Sequence, residues 1–381
     1  MISKTEKIVA GGSCLARIDG KAVFVPLSLP GETLDLRIVL DKKEYAFAEV
    51  IAIHEGSPHR RQPPCPLFSR CGGCNLQMAD EQYQRELRLN ILEFSMARAH
   101  VPFAGGVTIE SGAEFEYRSR FQFHRTADGE PALREEASNR LVGIRDCPVA
   151  VSSIRNALTD GSIRKWMDRS FAEKRFPIFG TDDHVFHQGG DTECHVTVNG
   201  VPLYFDIRGF FQSNIHMLGR LADWLKNELD SRFGGQGQLL DFYAGVGTFS
   251  RLCASAFSSS VLVEHNRGAL IYAEKNLMNA SLRATFCCTG DDAWPVRPEA
   301  RQSYDCMIID PPRQGIGAGA MNWISNSGIP DIYYVSCDPV TFSRDAKRLV
   351  ASGYVLETVR LFDFYPQTHH VETLGVFRRD R

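Results

Sequence analysis

The C-terminal half of the chain contains five short apolar runs that alternate with helical segments. Each run is almost free of polar residues, which is typical of parallel strands buried on both faces. The runs cover residues 239–243, 261–264, 284–287, 306–310 and 332–336. Their β-α-β-α order predicts an α/β fold with a doubly wound sheet, whose ligand binds at the carboxyl ends of the strands.

The first 56 residues show a different pattern, in which apolar and polar residues alternate. Turn signals at Asp19-Gly20 and Pro30-Gly31 separate the alternating runs. Strands are predicted at residues 7–10, 16–18, 22–26, 33–40 and 45–53. Five strands in so short a segment predict an OB-like β-barrel, an architecture often used to hold nucleic acid. A generic β-domain has the same strand count.

Residues 57–208 form the predicted central domain, of mixed α/β character. Its loop at 57–74 is rich in Pro, Cys and Gly, and a helix is predicted at about 81–99, which we expect to pack on the catalytic domain at 209–381. Residues 117–125 alternate aromatic with basic or polar side chains. This pattern suits a strand that contacts RNA, and equally an ordinary half-buried strand.

Composition excludes several classes of protein. The 381 residues are 43% apolar, which is enough for two or three globular domains. Because there is neither a membrane-length apolar run nor a secretory signal, we expect a cytoplasmic monomer without a membrane partner. The net charge of -3 argues against a generally basic nucleic-acid binder, although a local basic face is compatible with it.

A glycine-bearing turn follows the first apolar run. Two glycines, Gly245 and Gly247, let the backbone approach a ligand closely. A dinucleotide fingerprint requires a third glycine where Ser250 stands, so a nucleoside cofactor without pyrophosphate is favoured over NAD. Glu264 ends the second run, where a carboxylate can accept both ribose hydroxyls.

Three chemically reactive side chains lie at or near strand ends. Asp310 begins the sequence Asp-Pro-Pro-Arg, whose prolines stiffen the turn. Cys337 follows the fifth run and is either a packed apolar residue or a nucleophile. Glu372 lies near the start of a final strand that runs to Phe377, and it either acts as a base or faces solvent.

Eleven cysteines, an odd number without a secretory signal, favour metal binding or catalysis over a disulfide framework. Four of them form one motif, Cys65-x5-Cys71-Gly-Gly-Cys74 completed by Cys147-Pro148. From the residues alone, an iron–sulfur cluster and a zinc ion are equally supported. The cysteines that we assign to packing are Cys14, Cys194, Cys253, Cys287, Cys288 and Cys306.

Taken together, these motifs resemble the RNA uracil-5-methyltransferase family, a group of class I S-adenosylmethionine-dependent enzymes. They occur in the family's order and spacing over nearly the whole chain. Ala244 is one departure, since many relatives have Cys or Ser there. The matching segments are Phe211-Gln212-Ser213-Asn214, Asp241 to Phe249, Asp310-Pro-Pro-Arg313, Ser336-Cys337-Asp338-Pro339 and His370-Val371-Glu372.

The resemblance implies a role for each site residue. Cys337 is the implied nucleophile, which adds to C6 of a uridine and so makes C5 reactive towards the sulfonium methyl group. Glu372 is the implied base that removes the C5 proton. Gln212 and Asp310 are expected to position cofactor and uracil. The other residues implied in the S-adenosylmethionine site are Tyr243, Gly245, Thr248, Glu264 and Asp291.

The resemblance also implies a metal centre and a partner. The spacing of Cys65, Cys71, Cys74 and Cys147 is that of the family's iron–sulfur members, which implies a [4Fe-4S] cluster. Four ligands leave no open iron, so we expect a structural role for it. The N-terminal barrel is similar to a TRAM domain, a predicted RNA-binding module. The implied partner is RNA, with 23S ribosomal RNA favoured and transfer RNA as the alternative.

Two rival functions make different demands on the sequence. A DNA cytosine or small-molecule methyltransferase does not require the barrel, the cysteine loop or Glu372. A non-catalytic RNA-binding protein with a relic methyltransferase fold does not require an intact Cys337, Glu372, Gln212 and Asp310.

Overall fold

The computed structural model describes residues 1–169 and 175–379, and its first five strands close into a barrel. The strand order is β1-β2-β3-β5-β4, and β4 pairs with β1 to complete the circle. Small and branched apolar side chains fill the interior, among them Ala16, Val23 and Leu34. The predicted five-stranded barrel is therefore confirmed. Its strands are β1 (Ile2–Ile8), β2 (Cys14–Ile18), β3 (Lys21–Val25), β4 (Thr33–Asp41) and β5 (Tyr45–Glu55).

The first strand differs from its prediction, because it begins at Ile2 and not at residue 7. Of its seven residues only Thr5 and Ile8 are buried, so the apolar alternation that marks a strand is almost absent. Backbone pairing with β4 defines the strand instead, as in the pair Ser3↔Leu34.

The helix predicted at 81–99 is α1 (Glu81–Ala99). Asp80 caps its first turn by accepting the backbone N–H of Tyr83 at 2.8 Å, and His100 ends it in the left-handed conformation. Leu92 and Met96 share a core with residues of the C-terminal sheet. This helix therefore packs against the C-terminal sheet.

The central region contains a five-stranded sheet in the order β11-β10-β7-β8-β9, with two helices beside it. These elements and the neighbouring hairpin β12–β13 are β7 (Arg120–Arg125), β8 (Pro131–Arg134), β9 (Leu141–Gly143), α2 (Ser152–Thr159), α3 (Ser162–Arg169), β10 (Phe176–Gly180), β11 (Val185–His187), β12 (Glu193–Val198) and β13 (Val201–Asp206). The hairpin packs in the core of the C-terminal sheet through Val196, Leu203 and Phe205. The domain boundaries at 56 and 208 remain predictions.

The strand predicted at 117–125 is shorter in the structure, and its aromatic face is not available to RNA. Strand β7 begins at Arg120, and the side chains of Phe121 and Phe123 are buried in the central core. Tyr117 is buried as well. The segment is therefore an ordinary half-buried strand as far as its aromatic residues are concerned, because these rings fill the space beneath α2 and α3.

The C-terminal sheet has eight strands in the order β16-β15-β14-β17-β18-β20-β19-β6. The first five strands in this order run parallel, β20 is antiparallel to both of its neighbours, and helices cover both faces. The elements are β6 (Thr108–Glu110), α4 (Ile215–Phe233), β14 (Gly237–Phe242), α5 (Thr248–Leu252), β15 (Phe257–Glu264), α6 (Arg267–Leu277), β16 (Arg283–Cys288), β17 (Cys306–Ile309), α7 (Ala318–Asn326), β18 (Asp331–Ser336), α8 (Pro339–Ala351), β19 (Val355–Phe362) and β20 (Glu372–Arg378).

All five predicted apolar strands are present, and the α/β fold class is confirmed. The strand order reverses beside β14, where β15 lies on one side and β17 on the other. Such a switch point opens a crevice at the carboxyl ends of the strands. Strand β20 starts there, because it runs in the opposite direction and Thr373 pairs with Ser336 at the end of β18. Among the described helices, none combines the length and apolarity needed to cross a bilayer.

Candidate active site

A cavity of about 660 Å³ opens at this crevice. Its lining comes from the turn after β14, the ends of β15, β17 and β18, the segment before α4, and the start of β20. The predicted site residues among its lining are Gln212, Tyr243, Gly245, Thr248, Glu264, Asp310, Cys337 and Glu372. The fold thus brings together residues that lie far apart in the chain. Gln212 and Glu372, the most distant pair of these, are separated by 160 positions (372 − 212).

The turn after β14 has a backbone that few residue types adopt. Tyr243, Gly245 and Gly247 have φ angles of 65°, 55° and 75°, all in the left-handed region. A side chain at Gly247 would place its Cβ 3.1 Å from Leu262 and 3.2 Å from Ala273, so only glycine fits without movement. This compact turn leaves the cavity open above it.

Ser250 stands where a dinucleotide fingerprint has its third glycine, and its side chain makes a structural hydrogen bond. Its backbone N–H and its hydroxyl both donate to Oδ2 of Asp241, at 3.1 and 2.7 Å. Burial raises the pKa of Asp241 to about 6, and the hydrogen bonds from Ser250 oppose that shift. The pair fastens the turn to the strand that precedes it.

Glu264 is held by backbone donors on both of its oxygens. Oε2 accepts the N–H of Gly245 at 3.0 Å, and Oε1 accepts the N–H of Asn266 at 2.7 Å. The side chain is only 8% exposed and lines the cavity. Because each carboxylate oxygen accepts more than one hydrogen bond, this geometry leaves capacity for two ribose hydroxyls.

Asp291 is the one predicted cofactor residue that is not in the cavity lining. It lies behind Tyr243, whose hydroxyl donates to Asp291 Oδ2 at 2.9 Å. The same hydroxyl accepts the N–H of Gly317 at 3.4 Å. Asp291 therefore orients a lining residue, and its direct contact with the cofactor stays a prediction.

Gln212 presents an unpaired acceptor to the cavity. It is 8% exposed, and its Oε1 has no hydrogen-bond partner within the described parts of the chain. A buried amide oxygen without a partner costs about 1–3 kcal/mol, which a bound ligand can recover. Asn214, two residues later, caps α4 and donates from Nδ2 to the carbonyl of Phe364 at 3.1 Å, which fixes the segment.

Cys337, Asp310 and Glu372 form the reactive end of the cavity. Burial, followed by the negative charges of Glu372 and Asp310, raises the pKa of Cys337 to about 12. Burial and the proximity of Asp241 raise the pKa of Asp310 to about 7. The pKa of Glu372 is raised by burial and by Asp310. Arg313 opposes the shifts at Cys337 and Glu372.

Two aromatic side chains in this end were not singled out as site residues from the sequence. Tyr365 and His370 line the cavity, and their rings meet edge to face at 5.9 Å. His370 Nε2 lies 3.5 Å from the guanidinium of Arg313. Burial, the ring of His369 and Arg313 lower the pKa of His370 to about 3, so it is neutral at physiological pH. Only the position of His370 beside Glu372 in the final motif could have indicated it.

A second and smaller cavity, of about 30 Å³, contains the cysteine motif. Its lining includes all four cysteines of the motif, with apolar side chains and Arg118 around them. Burial and the neighbouring thiols raise the pKa of Cys74 to about 12 and that of Cys147 to about 11. Within residues 1–169 and 175–379, no three Cys, His, Asp or Glu side chains converge as ligands of a single metal ion.

The fold and the large cavity define a class I S-adenosylmethionine-dependent methyltransferase. A family described as tRNA (Uracil-5-)-methyltransferase matches residues 300–381, and a TRAM domain matches residues 5–51. An RNA methyltransferase of Treponema denticola, described as uncharacterized, is 40% identical, with 100% of this chain and 99% of the relative covered. The chain therefore belongs to the RNA uracil-5-methyltransferase family and is an S-adenosylmethionine-dependent RNA uracil-C5 methyltransferase.

Two further proteins match along almost their whole length. The 23S rRNA (uracil(1939)-C(5))-methyltransferase RlmD of Pectobacterium atrosepticum is 28% identical, with 97% of this chain and 91% of the relative covered. The crystal structure of Pyrococcus abyssi tRNA (uracil-54, C5)-methyltransferase with S-adenosyl-L-homocysteine has a TM-score of 0.78 at 21% identity, covering 99% of this chain and 100% of that one. The second match shows that the two proteins share a fold.

Proposed function

We propose that this enzyme makes 5-methyluridine in 23S ribosomal RNA through a covalent bond between Cys337 and the target uracil. The observation that carries the proposal is that Cys337, Glu372 and Gln212 line the same cavity as the glycine turn. One extruded pyrimidine would then meet a nucleophile, a base and a methyl donor together.

The cofactor end of the cavity is the end around Glu264. Its two oxygens, already oriented by backbone N–H groups, accept the ribose hydroxyls of S-adenosylmethionine. The ring of Tyr243 and the side chain of Thr248 line the same end. The compact turn at Gly245 and Gly247 leaves space for the remainder of the cofactor beside Cys337.

Cofactor binding also helps to form the thiolate. The raised pKa of Cys337 keeps the thiol protonated at neutral pH in the free cavity. A sulfonium cation brought beside it stabilises the thiolate, as Arg313 already does. The nucleophile is therefore activated when the methyl donor is present.

The reaction then proceeds in three steps: addition, methyl transfer and elimination. The Cys337 thiolate forms a bond to C6 of uracil, and the electron pair of the C5–C6 double bond moves to C5 and O4. C5 forms its new bond to the methyl carbon while the methyl–sulfur bond breaks, which releases neutral S-adenosylhomocysteine. Glu372 then takes the C5 proton, the double bond reforms, and the C6–sulfur bond breaks to return the thiolate.

Gln212 and Asp310 match the polar edge of the uracil ring. The unpaired Oε1 of Gln212 is suited to accept the N3–H group. With a pKa of about 7, Asp310 is partly protonated at neutral pH and can donate to O4, where negative charge develops. Cytosine has no N3–H group, so this arrangement selects uracil.

Ribosomal RNA is the proposed substrate because a relative described as a 23S rRNA uracil-C5 methyltransferase aligns over 97% of this chain. Transfer RNA is the second candidate, supported by the shared fold of the Pyrococcus abyssi enzyme. The test incubates the purified protein with methyl-labelled S-adenosylmethionine and with transcripts of both RNAs. Label at C5 of a uridine in the 23S transcript is expected, whereas label only in transfer RNA would reverse the assignment.

The same assay addresses the non-catalytic rival. A protein that only binds RNA would retain the transcript on a filter without transferring label. Total cellular RNA from a strain that lacks the gene serves as a third substrate for the purified protein. If none of the three RNAs receives label, the proposed function is overturned.

We propose that the small cavity holds a [4Fe-4S] cluster. The four thiols share one apolar cavity and come from two separate segments, so they fit a centre bound by four thiolates. Gly72 supports the fit, because a Cβ there would lie 2.8 Å from the backbone of Glu136, and the loop closes only with glycine. Bound to Cys65, Cys71, Cys74 and Cys147, the cluster would cross-link the loop to the segment around Cys147.

We also propose that the surface around this cavity contacts RNA together with the barrel. Arg70, Arg134 and Arg145 are exposed, and in the part of the chain that the structure describes their guanidinium groups have no acidic partner. Arg70 adjoins Cys71, and Arg134 accepts the N–H of Gly72 on its carbonyl at 2.9 Å. Such cations bind phosphates without sequence preference. A monomeric state and a cytoplasmic location remain predictions.

A further inference from the structure

The loop between β19 and β20, residues 363–371, leads directly into Glu372. We call it the catalytic loop, because it also contains Tyr365 and His370 of the cavity lining. Besides Asn214, which donates to the carbonyl of Phe364, several of its anchors come from the N-terminal part of the chain. Tyr117 donates its hydroxyl to the carbonyl of Pro366 at 2.7 Å, and Arg88 donates to the carboxylate of Asp363 at 2.6 Å.

The anchor nearest to Glu372 is Asn75. Its Oδ1 accepts the backbone N–H of His369 at 3.0 Å, and its Nδ2 lies 2.7 Å from His369 Nδ1. Its own backbone N–H donates to the carbonyl of Gln367 at 3.0 Å, beside that of Leu76 at 2.9 Å. Asn75 is 9% exposed and directly follows Cys74.

These contacts determine how the amide and the ring are oriented. A backbone N–H only donates, so its partner on Asn75 is the oxygen, and the NH₂ group faces the ring. Because the NH₂ group also donates, Nδ1 of His369 must be the unprotonated nitrogen. The ring is therefore neutral, in agreement with burial and Arg313, which lower its pKa to about 4.

The barrel contributes a third element to the same point. A Cβ at Gly12 would lie 2.5 Å from Asn75 Nδ2 and 2.9 Å from His369 Cβ and Cγ. Gly12 also has a φ of 80°, which glycine adopts without strain. Its neighbour Gly11 has a φ of 96° and no atom within 4 Å of its Cβ position.

We propose that Asn75 is a positioning residue for the methyl-transfer reaction, which sets the placement of Glu372 by fastening His369 of the catalytic loop in a junction with Gly12 of the barrel. The inference rests on the proposed function, since it assigns Asn75 an effect on the base. His369 lies three residues from Glu372, and β20 begins at Glu372 itself. A release of His369 therefore moves the base and the wall of the cavity that His370 forms.

The first test compares Asn75→Ala with Ser95→Ala. Both side chains are 9% exposed, and Ser95 makes its hydrogen bond within α1, to Ile91. We expect kcat of Asn75→Ala to fall about 10- to 100-fold, because a misplaced catalytic group costs that much. The methylated covalent adduct should accumulate as a gel-stable band, since the proton-removal step is the one that slows. Ser95→Ala should retain kcat and show no band.

The second test changes the barrel side of the junction. Gly12 precedes Glu372 by 360 residues in the chain (372 − 12). Gly12→Ala should reproduce both the fall in kcat and the adduct band at saturating RNA. Gly11→Ala has the same backbone strain without the clash, so it should retain kcat. Melting temperatures of the two variants show whether both proteins are folded.

The third test is a pH profile that general destabilisation does not produce. In Asn75→Asp, the carboxylate can accept from the backbone N–H of His369, and from Nδ1 once that nitrogen carries a proton. The imidazolium makes the stronger, charge-assisted bond, so the junction tightens when the ring is protonated. The new carboxylate and Asp338 raise the pKa of His369, whereas Arg313 and the adjacent His370 oppose protonation. We expect the ratio of mutant to wild-type kcat to rise as pH falls from about 8.5 to 6. The same ratio for Asn75→Ala should stay flat.

The outcomes separate this inference from the proposed function. If wild-type protein does not methylate uridine, the proposed function fails. If wild-type protein is active but Asn75→Ala behaves like Ser95→Ala, or Gly12→Ala like Gly11→Ala, only the positioning role is overturned. An Asn75→Ala protein that folds and loses activity without adduct accumulation also contradicts it.

Discussion

The protein has two cavities that contain cysteine, and the same side chain serves different purposes in them. The lining of the large cavity includes one cysteine, Cys337, which lies near two carboxylates and an arginine. The small cavity contains four thiols lined mainly by apolar groups. In both, burial raises the thiol pKa. The difference lies in the neighbours.

The neighbours decide what can lower the pKa again. In the large cavity a mobile cation, the sulfonium of the cofactor, enters and leaves with each turnover. In the small cavity Arg118 and neutral hydrogen bonds, such as that between Gln77 and Cys74, oppose the shift, and the proposed cluster would supply a permanent cationic centre that keeps four thiolates. In the proposals above, one cysteine forms a reversible bond and the other four are permanent ligands.

The largest expected effect comes from removing the reactive cysteine. Cys337→Ala should lower kcat by more than about 10⁴-fold, because the covalent route loses its nucleophile. Labelled methyl transfer to RNA measures the loss. Cys306→Ala, in the buried strand β17 of the same sheet, should retain turnover despite some loss of stability. Substantial turnover by Cys337→Ala would remove the distinction between the two cavities.

Glu372→Gln should lower kcat by about 10²- to 10⁴-fold, the usual contribution of a general base. Since addition and methyl transfer precede proton removal, the covalent protein–RNA adduct should accumulate. Denaturing gel electrophoresis with labelled RNA detects it. Combining Glu372→Gln with Cys337→Ala must abolish the band, and a band that persists would indicate another nucleophile.

Cys74→Ser tests the small cavity. Loss of one of four ligands should remove the visible absorbance of an iron–sulfur centre and lower the melting temperature by several degrees, since ligation energy contributes to folding. Anaerobic purification, iron and sulfide analysis and a thermal scan measure this. Cys288→Ser is the surface control, because Cys288 is exposed. Purified protein that contains zinc bound by these thiols and no iron would instead support the zinc interpretation.

The pH dependence of kcat/KM tests the charges around Cys337. A raised pKa of Cys337 means that the thiolate fraction grows with pH, and a raised pKa of Glu372 means that its basic form does too. Both groups must be deprotonated, and each can contribute up to about tenfold per pH unit, whereas Asp310, with a pKa of about 7, loses over the same range the proton that it donates to O4. We therefore expect a net rise of kcat/KM from pH 6 to 8. Arg313→Ala should shift the rise to higher pH, because Arg313 lowers the pKa of Cys337. A profile that falls over this range would contradict these directions.

The smallest effect is expected at the surface of the small cavity. Arg70→Ala should weaken RNA binding uniformly and reduce the slope of log affinity against log salt by about 0.7–0.9, the value of one phosphate contact. Arg283→Ala is the matched control, since Arg283 is exposed at the amino end of β16, away from both cavities. Equal slopes for the two variants would show that this surface does not bind phosphate.

Sequence patterns predicted the fold wherever burial alone determines it. The five apolar strands were predicted because they are buried. Helix α1 was predicted although its amphipathic pattern is weak, since Gln84 and Arg88 lie on its buried face. Strand β19 was missed, since its exposed and buried residues alternate irregularly, and β6 is only three residues long. The polar β1 was misplaced for a related reason, because partner strands and not apolar residues define it.

The candidate site divides in the same way. Residues in local motifs at strand ends, such as Cys337 and Glu264, were predicted from their order along the chain. Asp291 was assigned to the cofactor surface but lies behind Tyr243, a difference that depends on side-chain direction. The junction of Asn75 with His369 joins residues 294 apart and could not be predicted from a single sequence.

The antiparallel pairing of β18 with β20 has a consequence for how the sequence can change. The proposed nucleophile, Cys337, follows the last residue of β18, and the proposed base, Glu372, is the first residue of β20, with Ser336 opposite Thr373. Inserting or deleting one residue within β20 would reverse its alternation and turn the carboxylate to the other side of the sheet. Homologous chains should therefore differ in length outside β20 and not within it. A homologue with a natural one-residue insertion or deletion inside β20 is expected to have lost the reaction.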